Sequence, residues 1–258
     1  MLALERQLAI IEYLKEKKCA TVNELADQFF IGPASIRRDL DKLEKQKLVR
    51  RTYGGVVLVD GLVEEIPIHV RERDYSEAKN TIGQIAASYV SVNDVITLDS
   101  STSVYSMIAH LHSKVPLTVL TNGLKTSITL GEQLHTKVYC CGGRLRENSL
   151  SLVGSQAEQF FERFGVGKMF FSCRALSYDF GPMDSSDEEA ELRKKMIRMA
   201  DEVCLLCDSS KFDKKSFYRI APLDDIDMII TEKKPSEEWI AMLKNHNVKL
   251  VCSLSDLF

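Results

Sequence analysis

The stretch from residue 32 to residue 55 constrains the fold of this chain most, because a helix signal is followed directly by a hairpin signal. Gly32 and Pro33 favour a helix start, since a proline at the first helical position gives up no hydrogen bond that the helix would make. Ile36, Leu40 and Leu43 then recur at i, i+4 and i+7. This spacing predicts a helix with one buried face and one solvated face.

The solvated face of this predicted helix is basic. Between Arg37 and Arg51 the chain has seven lysines or arginines and three acids, a local net charge of +4, although the net charge of the whole chain is −3. Phosphate attraction depends on such a local positive surface. Two β-prone runs around Gly54-Gly55 are typical of a hairpin. The helix and the basic hairpin together predict a winged helix-turn-helix.

Two further helices are predicted before this one. Thr21-Val22-Asn23-Glu24 matches a capping box that opens the second helix. Three helices and a hairpin within about sixty residues have the dimensions of a DNA-binding module. Two other interpretations stay open: the charged stretch is an ordinary solvated helix, or one of its arginines pairs with Asp39 or Asp41. The apolar stripe of the first helix is Leu4, Leu8, Ile11 and Leu14.

The length of 258 residues suits two modest domains, and 45% hydrophobic residues are enough for buried cores. The chain has no run of eighteen apolar residues and no secretion leader, so we expect no membrane span and a cytoplasmic protein. Residues 60–75 are a predicted linker, because charged residues are mixed with Gly61 and Pro67, and a proline disfavours helix at the residue before it. The predicted domains are residues 1–59 and 76–258.

Residues 76–258 alternate helical patterns with short apolar runs. Strands are predicted at 95–98, 117–120, 137–141, 169–173, 203–207, 228–231 and 248–251. Helices are predicted near 77–90, 103–112, 124–134, 155–163, 187–202 and 236–245. Such alternation favours a Rossmann-like α/β domain, with a mostly parallel sheet covered by helices.

Polar loops follow several of these strands, at the end where parallel α/β sheets bind ligands. Residues 99–103, Asp-Ser-Ser-Thr-Ser, offer four hydroxyl groups at a predicted helix start, an environment that suits a phosphate. The loops 121–123, 142–144 and 208–211 follow other strands, and the last adds the cation Lys211. Each loop alone is compatible with simple helix capping. Neither G-x-G-x-x-G nor G-x-x-x-x-G-K-[ST] is recognisable, so we expect no nucleotide cofactor.

Seven cysteines are spread irregularly along the chain. Cys204 and Cys207 have the spacing of a metal or redox motif, but their apolar run predicts a buried strand, in which residues three apart face opposite sides. Cysteine is also among the residues most often buried. His110 and His112 have no matching ligand cluster, so we expect no metal site.

The N-terminal stretch resembles the DNA-binding domain of the DeoR family of bacterial regulators. Residues 35–40 with Leu43, and residues 51–55, match the family motif, while Gly32 replaces its capping serine and Ser35 its threonine. The resemblance implies that the third helix enters the major groove and that the hairpin meets the DNA backbone or minor groove. The DNA-contacting residues so predicted are Thr21, Ala34, Ser35, Arg37, Arg38, Lys42, Arg50, Arg51, Tyr53, Gly54 and Gly55.

Residues from about 76 to 252 resemble the effector-binding domain of the same family, which is related in fold to ribose-5-phosphate isomerase and glucosamine-6-phosphate deaminase. Lys79, Asp99 and residues 208–212 are among the matching positions, whereas Ser101 replaces a glycine and residues 172–175 replace a glycine-rich segment. The effector-binding residues predicted from the polar loops and the resemblance are Asp99, Ser100, Ser101, Thr102, Ser103, Thr121, Asn122, Gly142, Arg144, Glu189 and Lys211.

The sequence therefore predicts a transcriptional regulator, a repressor of a carbohydrate-metabolism operon, whose affinity for double-stranded operator DNA is modulated by a phosphorylated sugar. Symmetric half-sites imply a homo-oligomer, a dimer or a tetramer. One alternative is a sugar-phosphate isomerase or deaminase using Asp99, Glu189 and Lys211, but these residues form no recognisable catalytic set. The other is a regulator with a degenerate ligand pocket. We expect that the chain is not an enzyme, because catalysis has no need of the first sixty residues.

Overall fold

A computed structural model of the chain describes residues 2–17, 19–46, 48–52, 55–58, 68–132 and 136–253. The chain divides into two compact units, residues 1–70 and 71–258. Tyr53 and Gly54, and residues 60–67 of the predicted linker, lie outside the described residues. Within the described ranges, no helix has both the length and the apolar character that a membrane span requires.

The N-terminal unit is a winged helix-turn-helix. The strands form a three-stranded antiparallel sheet in the order β1-β3-β2. The sequence predicted the three helices and the hairpin but not β1, because two residues are too few to give a pattern. In chain order the elements are α1 (Ala3–Lys17), β1 (Cys19–Ala20), α2 (Val22–Phe29), α3 (Pro33–Lys45), β2 (Val49–Thr52) and β3 (Gly55–Leu58).

The predicted starts of α2 and α3 are confirmed. The hydroxyl oxygen of Thr21 accepts a hydrogen bond from the amide of Glu24 at 3.1 Å, and the Glu24 carboxylate accepts one from the amide of Thr21 at 2.6 Å. Gly32 caps α3, and Pro33 is its first residue. The core of the unit is formed mainly by Ile10, Ile11, Leu14, Leu25, Ile36, Leu40, Leu43, Val49 and Val56.

The predicted apolar stripe of α1 is partly wrong. Leu4 is 41% exposed, whereas Ile10 is fully buried. Leu4 lies on the same face as Gln7 and Ile11 but one turn nearer the start of α1, and the buried part of the helix begins only at Gln7, which bonds to Asp39 of α3.

The second unit is an α/β domain. Its helices are α4 (Ile68–Arg73, which contains the division between the units), α5 (Ser76–Ser88), α6 (Thr102–Tyr105), α7 (Leu124–Gly131), α8 (Ser155–Phe161), α9 (Asp187–Arg198) and α10 (Glu237–Asn245). Its strands are β4 (Val95–Leu98), β5 (Leu117–Thr121), β6 (Thr136–Cys140), β7 (Arg144–Arg146), β8 (Ser151–Val153), β9 (Val166–Phe171), β10 (Ala175–Ser177), β11 (Gly181–Asp184), β12 (Ala200–Leu206), β13 (Tyr218–Arg219), β14 (Met228–Ile230) and β15 (Lys249–Val251).

Seven of these strands form one parallel sheet in the order β15-β14-β12-β9-β4-β5-β6. Successive residues of a strand point to opposite faces, so each central strand contributes to two cores. On β9, Met169 and Phe171 belong to one core and Phe170 to the other. Cys204 and Cys207 are likewise buried in different cores. The prediction that these two cysteines are core residues on opposite faces is confirmed.

The predicted helix near 103–112 is the largest discrepancy. The α-helix α6 ends at Tyr105, and short 3₁₀ turns at Ile108–His110 and His112–Lys114 follow it. The hydroxyl of Ser106 donates to the carbonyl oxygens of Ser103, at 2.7 Å, and of Lys79, at 2.6 Å. A serine that bonds to nearby carbonyl groups competes with regular helix, which accounts for the early end.

Smaller differences concern boundaries and short strands. The predicted helix 187–202 ends at Arg198, because β12 begins already at Ala200. The hairpin β7-β8 and the antiparallel sheet β10-β11-β13 were not predicted, since strands of two to four residues show no clear period. Within the predicted linker, residues 68–73 form α4.

Candidate functional site

Helix α3 carries five of the eleven predicted DNA-contacting residues. Arg38 Nη2 donates to the hydroxyl of Ser35 at 3.4 Å. Among the described residues, neither Arg37 nor Arg38 forms an ion pair. Their guanidinium groups are therefore available to a phosphate or to a guanine edge. The predicted residues on the exposed face of α3 are Ala34, Arg37, Arg38 and Lys42, with Ser35 half-buried beside them.

Asp39 does not belong to that face. It lies three residues after Ile36 on the helix and is 2% exposed. Its carboxylate pairs with Arg6 of α1 and accepts a hydrogen bond from Gln7 Nε2 at 3.1 Å. The interpretation in which Asp39 pairs with an arginine of the charged stretch is therefore wrong, and Asp39 instead fastens α3 to α1.

Arg51 of β2 is held by the same helix. Its guanidinium group pairs with Asp41 at 2.6 Å and Glu44 at 3.7 Å, and donates to the carbonyl oxygen of Arg37 at 2.9 Å. For Arg51 the predicted pairing with Asp41 is thus confirmed. This arginine positions the hairpin against α3, and its contact with DNA stays a prediction. Arg50, the neighbouring residue, is exposed.

Two other predicted DNA-contacting residues have structural roles. Thr21 forms the capping box of α2. A Cβ atom at Gly55 would overlap the carbonyl oxygen of Ala20, so the close approach of β3 to β1 requires glycine there. Contact of either residue with DNA stays a prediction, and Tyr53 and Gly54 lie outside the described residues.

In the second unit, a buried network of charges lies at the carboxyl ends of the central strands. Asp99, directly after β4, accepts hydrogen bonds from the amides of Ser101, at 2.9 Å, and Ser172, at 3.2 Å. Arg193 of α9 pairs with Asp99 and Asp184, both at 2.8 Å. Burial lowers the pKa of Arg193, but Asp99, Asp184 and Glu189 outweigh it and hold that pKa above its usual value. Asp99 is therefore paired with a buried guanidinium group that stays protonated.

Lys211 brings three strand ends together. Its Nζ lies 3.3 Å from the carboxylate of Asp208, and donates to the hydroxyls of Ser172 at 2.8 Å and Ser103 at 3.3 Å. These partners follow β12, β9 and β4, which are neighbours in the sheet. Burial lowers the pKa of Lys211, but the attraction of Asp208 and other neighbouring groups outweighs burial and leaves the pKa above its usual value. The side chain is therefore an ammonium at neutral pH.

A second lysine lies close to Lys211. Lys79 of α5 is 6% exposed, and its Nζ donates to the carbonyl oxygens of Arg71 and, at 2.6 Å, Asp74. Burial, and then the repulsion of the Lys211 ammonium, lower the pKa of Lys79 to about 8. Two lysines that repel each other form an electrostatic environment that an anion would stabilise.

The end of β5 contributes polar groups beside this network. Asn122 Nδ2 lies 3.4 Å from the hydroxyl of Ser100, and Asn122 Oδ1 is buried with no hydrogen-bond partner among the described residues. The Thr121 hydroxyl accepts a hydrogen bond from the amide of Gly123 at 3.0 Å. An unpartnered buried oxygen is costly unless a ligand or water completes it.

The remaining predicted effector-binding residues are Glu189, Arg144 and Gly142. Glu189 is 3.4 Å from Arg193 and accepts a hydrogen bond from the Ser151 hydroxyl. Arg144 is exposed and pairs with Glu188. Gly142 is exposed, with open space where a Cβ would be. The structure thus connects Asp99, Arg193 and Glu189 through buried ion pairs, whereas Gly142 and Arg144 lie at the surface.

Sequence reasoning did not predict Arg193, Ser172 or Lys79 as site residues. Arg193 follows Glu189 by four residues on a predicted helix, a spacing that places both on one face. Ser172 directly follows β9 in the structure, but the predicted strand 169–173 included it, so it was not recognised as part of a loop. Of these residues, Arg193 had a usable sequence signal.

A groove with a cavity volume of about 550 Å³ lies beside Lys79 and Thr102. Tyr105 forms part of this groove. Lys125 Nζ lies 4.5 Å from the centre of the Tyr105 ring, and the Tyr105 and Thr129 hydroxyl groups are 3.2 Å apart. Lys125 also pairs with Glu72 of α4. The sequence did not predict this groove, because its walls come from α4, α5, α6 and α7.

Comparison with known proteins covers both units. Residues 6–61 match the DeoR-like helix-turn-helix domain, and residues 74–233 match the DeoR C terminal sensor domain. The chain is 37% identical to an uncharacterized HTH-type transcriptional regulator YulB of Bacillus subtilis, over 97% of this chain and 96% of that protein. It is 31% identical to the HTH-type transcriptional repressor GlcR of the same species, over 98% of this chain and 97% of that protein.

A third relative, the L-fucose operon activator of Haemophilus influenzae, is 30% identical over 95% of this chain and 98% of that protein. The ribose 5-phosphate isomerase of Methanocaldococcus jannaschii is 12% identical, over 53% of this chain and 54% of that chain, with a TM-score of 0.40, a likeness too low to bear on function. The relatives in sequence are named as regulators, and the enzyme alternative is set aside. The chain belongs to the DeoR family of transcriptional regulators.

Proposed function

We propose that this regulator represses an operon of carbohydrate metabolism, and that a phosphorylated sugar bound at the strand ends changes its affinity for operator DNA. The observation that carries the sugar-phosphate proposal is the half-buried Lys211, which donates to the hydroxyls of Ser103 and Ser172 and repels the buried Lys79. The names of two relatives support the rest, since one is a repressor and another acts on an L-fucose operon.

DNA recognition is assigned to α3. Arg37 and Arg38 contact guanine edges or phosphates in the major groove, because their side chains are exposed and form no ion pair with described residues. Arg50 and the hairpin contact the DNA backbone, where sequence is not read directly. The protein binds symmetric half-sites as a homo-oligomer and acts in the cytoplasm, where its operator is.

Effector recognition is assigned to the charged network. The phosphate accepts hydrogen bonds from Lys211 and from the neighbouring hydroxyls, and its negative charge relieves the repulsion between the two lysines. Asn122, whose Oδ1 has no partner among the described residues, accepts a hydrogen bond from a sugar hydroxyl. Asp99 is neutralised by Arg193, so it does not repel the phosphate. For the effector to act, its affinity must differ between the DNA-bound and free forms of the protein.

The test uses a duplex that the wild-type protein selects from a random-sequence library. Fluorescence anisotropy measures the affinity for this duplex with a panel of sugar phosphates and their unphosphorylated parents. We expect one phosphorylated sugar to change the affinity and its parent to have no effect. Lys211→Met should require at least about tenfold more effector, the equivalent of one lost charge-assisted hydrogen bond.

Lys215→Met is the matched control, because Lys215 is 57% exposed and pairs with Asp179 away from the network. Its response to the effector should equal that of the wild type. Selective DNA binding that no sugar phosphate alters would contradict effector control and favour the degenerate pocket. Failure to select any sequence would contradict the operator-binding function itself.

A further inference from the structure

Phe30 lies in the turn between α2 and α3 and has an unusual conformation. Its backbone is left-handed, with φ 55° and ψ 44°. The amide of Phe30 donates to the carbonyl oxygens of Ala26 and Asp27. The amide of Ile31 donates to the carbonyl oxygen of Ala26 at 2.9 Å. These bonds fix the left-handed conformation as the end of α2, a position that helices usually give to glycine or asparagine.

The side chain of Phe30 contributes little to the fold. It is 95% exposed, and no ring contact with another described residue involves it. Its neighbour Phe29 packs against Tyr13 instead, with ring centres 6.1 Å apart. Phe30 therefore combines two unfavourable features, a large side chain in the left-handed region and a large apolar surface in water. Residues in such conformations occur mainly where they serve a function.

The location of Phe30 indicates what it contacts. It stands two residues before Gly32, which caps the recognition helix α3. In helix-turn-helix proteins the N-terminal end of this helix enters the major groove. The exposed residues at that end of α3 are Gly32, Pro33 and Ala34, and the exposed Arg37 and Arg38 follow one turn later. None of the three carries an apolar side chain as large as that of Phe30. The apolar group that DNA presents in the major groove is the C5-methyl group of thymine, which phenylalanine contacts in protein–DNA complexes.

Resting on the DNA contact proposed above for α3, we propose that Phe30 is a specificity-determining residue whose ring packs on the methyl group of a thymine at the edge of the half-site. The arginines of α3 supply polar and ionic contacts, and Phe30 adds an apolar contact that distinguishes thymine from the other bases. The requirement for this contact explains why a residue that is poorly suited to the turn stands there.

The test compares Phe30→Gly and Phe30→Asn with the wild-type full chain on the library-selected duplex. Both substitutions suit the left-handed backbone, so the thermal midpoint of the N-terminal unit should rise. Affinity for the duplex should nevertheless fall at least about fivefold, since an apolar contact is lost. An increase in stability together with a loss of affinity cannot result from damage to the fold.

A second measurement identifies the contact atom. Thymines of the duplex are replaced one at a time by uracil, which lacks only the methyl group. At one position in each half-site the wild type should lose about fourfold in affinity, the value for one buried methyl group, while Phe30→Gly loses nothing. Phe217→Ala, which removes an aromatic side chain that is 55% exposed in the second unit, is the control and should bind like the wild type.

The proposal is overturned if Phe30→Gly binds the duplex with wild-type affinity. It is also overturned if every uracil duplex weakens the wild type and the variant equally. A variant that keeps wild-type DNA affinity but elutes as a smaller assembly would assign Phe30 to a protein contact and would equally contradict the proposal.

Discussion

Replacing Asp39 by asparagine tests whether this acid of the arginine-rich motif is structural. The change removes a charge that is 2% exposed and pairs with Arg6, whose side chain is 14% exposed. Breaking a buried ion pair costs about 3–5 kcal/mol, and the partial exposure of Arg6 places the cost near about 3 kcal/mol. A unit of about 70 residues is stable by about 4–10 kcal/mol, so the loss is a large part of the total.

The two units are distinguished by their spectroscopic signals. Trp239, the single tryptophan of the chain, lies in the second unit, so its fluorescence reports on that unit alone. Far-UV circular dichroism reports on both. For Asp39→Asn we expect the thermal midpoint of the N-terminal unit, followed by circular dichroism, to fall by about 12 °C or more. The Trp239 transition should stay at its wild-type midpoint.

Asp41→Asn is the matched control, because it makes the same chemical change two residues away at a side chain that is 53% exposed. Surface ion pairs contribute at most about 1 kcal/mol, so this variant should melt close to the wild type. The reasoning would be refuted if Asp39→Asn melted like Asp41→Asn, or if it lowered DNA affinity with no loss of stability.

Three further predictions concern DNA binding, effector binding and the stability of the second unit. Arg38→Ala should reduce the steepness of the plot of log affinity against log salt concentration by about 0.9, the value for one lost phosphate contact. An unchanged slope would show that Arg38 does not contact a phosphate. Effector binding should weaken as pH rises from 7 to 9, because Lys79, with a pKa of about 8, loses its positive charge in this range. The effector phosphate does not change its charge there, since its second pKa is about 6. In isothermal titration the variant Lys79→Met should lose this pH dependence. Gly143→Ala should lower the free energy of unfolding of the second unit by about 1–3 kcal/mol, since residue 143 has φ +128° and a Cβ there would lie 2.6 Å from the Val153 carbonyl oxygen. Gly142→Ala, the control, should change it by less than about 0.5 kcal/mol, because a Cβ there has open space.

The fold was largely predictable from the sequence because its signals are local. The capping box at Thr21 and the Gly32-Pro33 start depend on neighbouring residues alone, and both are confirmed. The inner strands of the parallel sheet are mostly apolar runs buried on both faces, which are visible without any tertiary information. The end of α6 was not predictable in this way, because it depends on a hydrogen bond from Ser106 to the carbonyl of Lys79 in another helix.

The candidate sites were predicted less completely, since they depend on contacts between distant residues. Asp39 belongs to the same motif as Arg37 and Arg38, yet its orientation depends on Arg6 and Gln7, more than thirty residues away. Arg193 and Lys79 join the strand ends only because α9 and α5 pack against the sheet. The sequence identified the loops from which the site is built, and the side chains that neutralise and connect those loops required the structure.

The most direct test of the central claim is the thermodynamic coupling between the two ligands. The affinity for the selected duplex is measured without effector and with saturating effector, and the affinity for the effector is measured with free and with DNA-bound protein. If a phosphorylated sugar controls DNA binding, the two ratios must be equal, and a coupling of 1–3 kcal/mol corresponds to about 5–150-fold. A sugar phosphate that binds with the same affinity to the free and the DNA-bound protein, and leaves duplex affinity unchanged, would contradict the account.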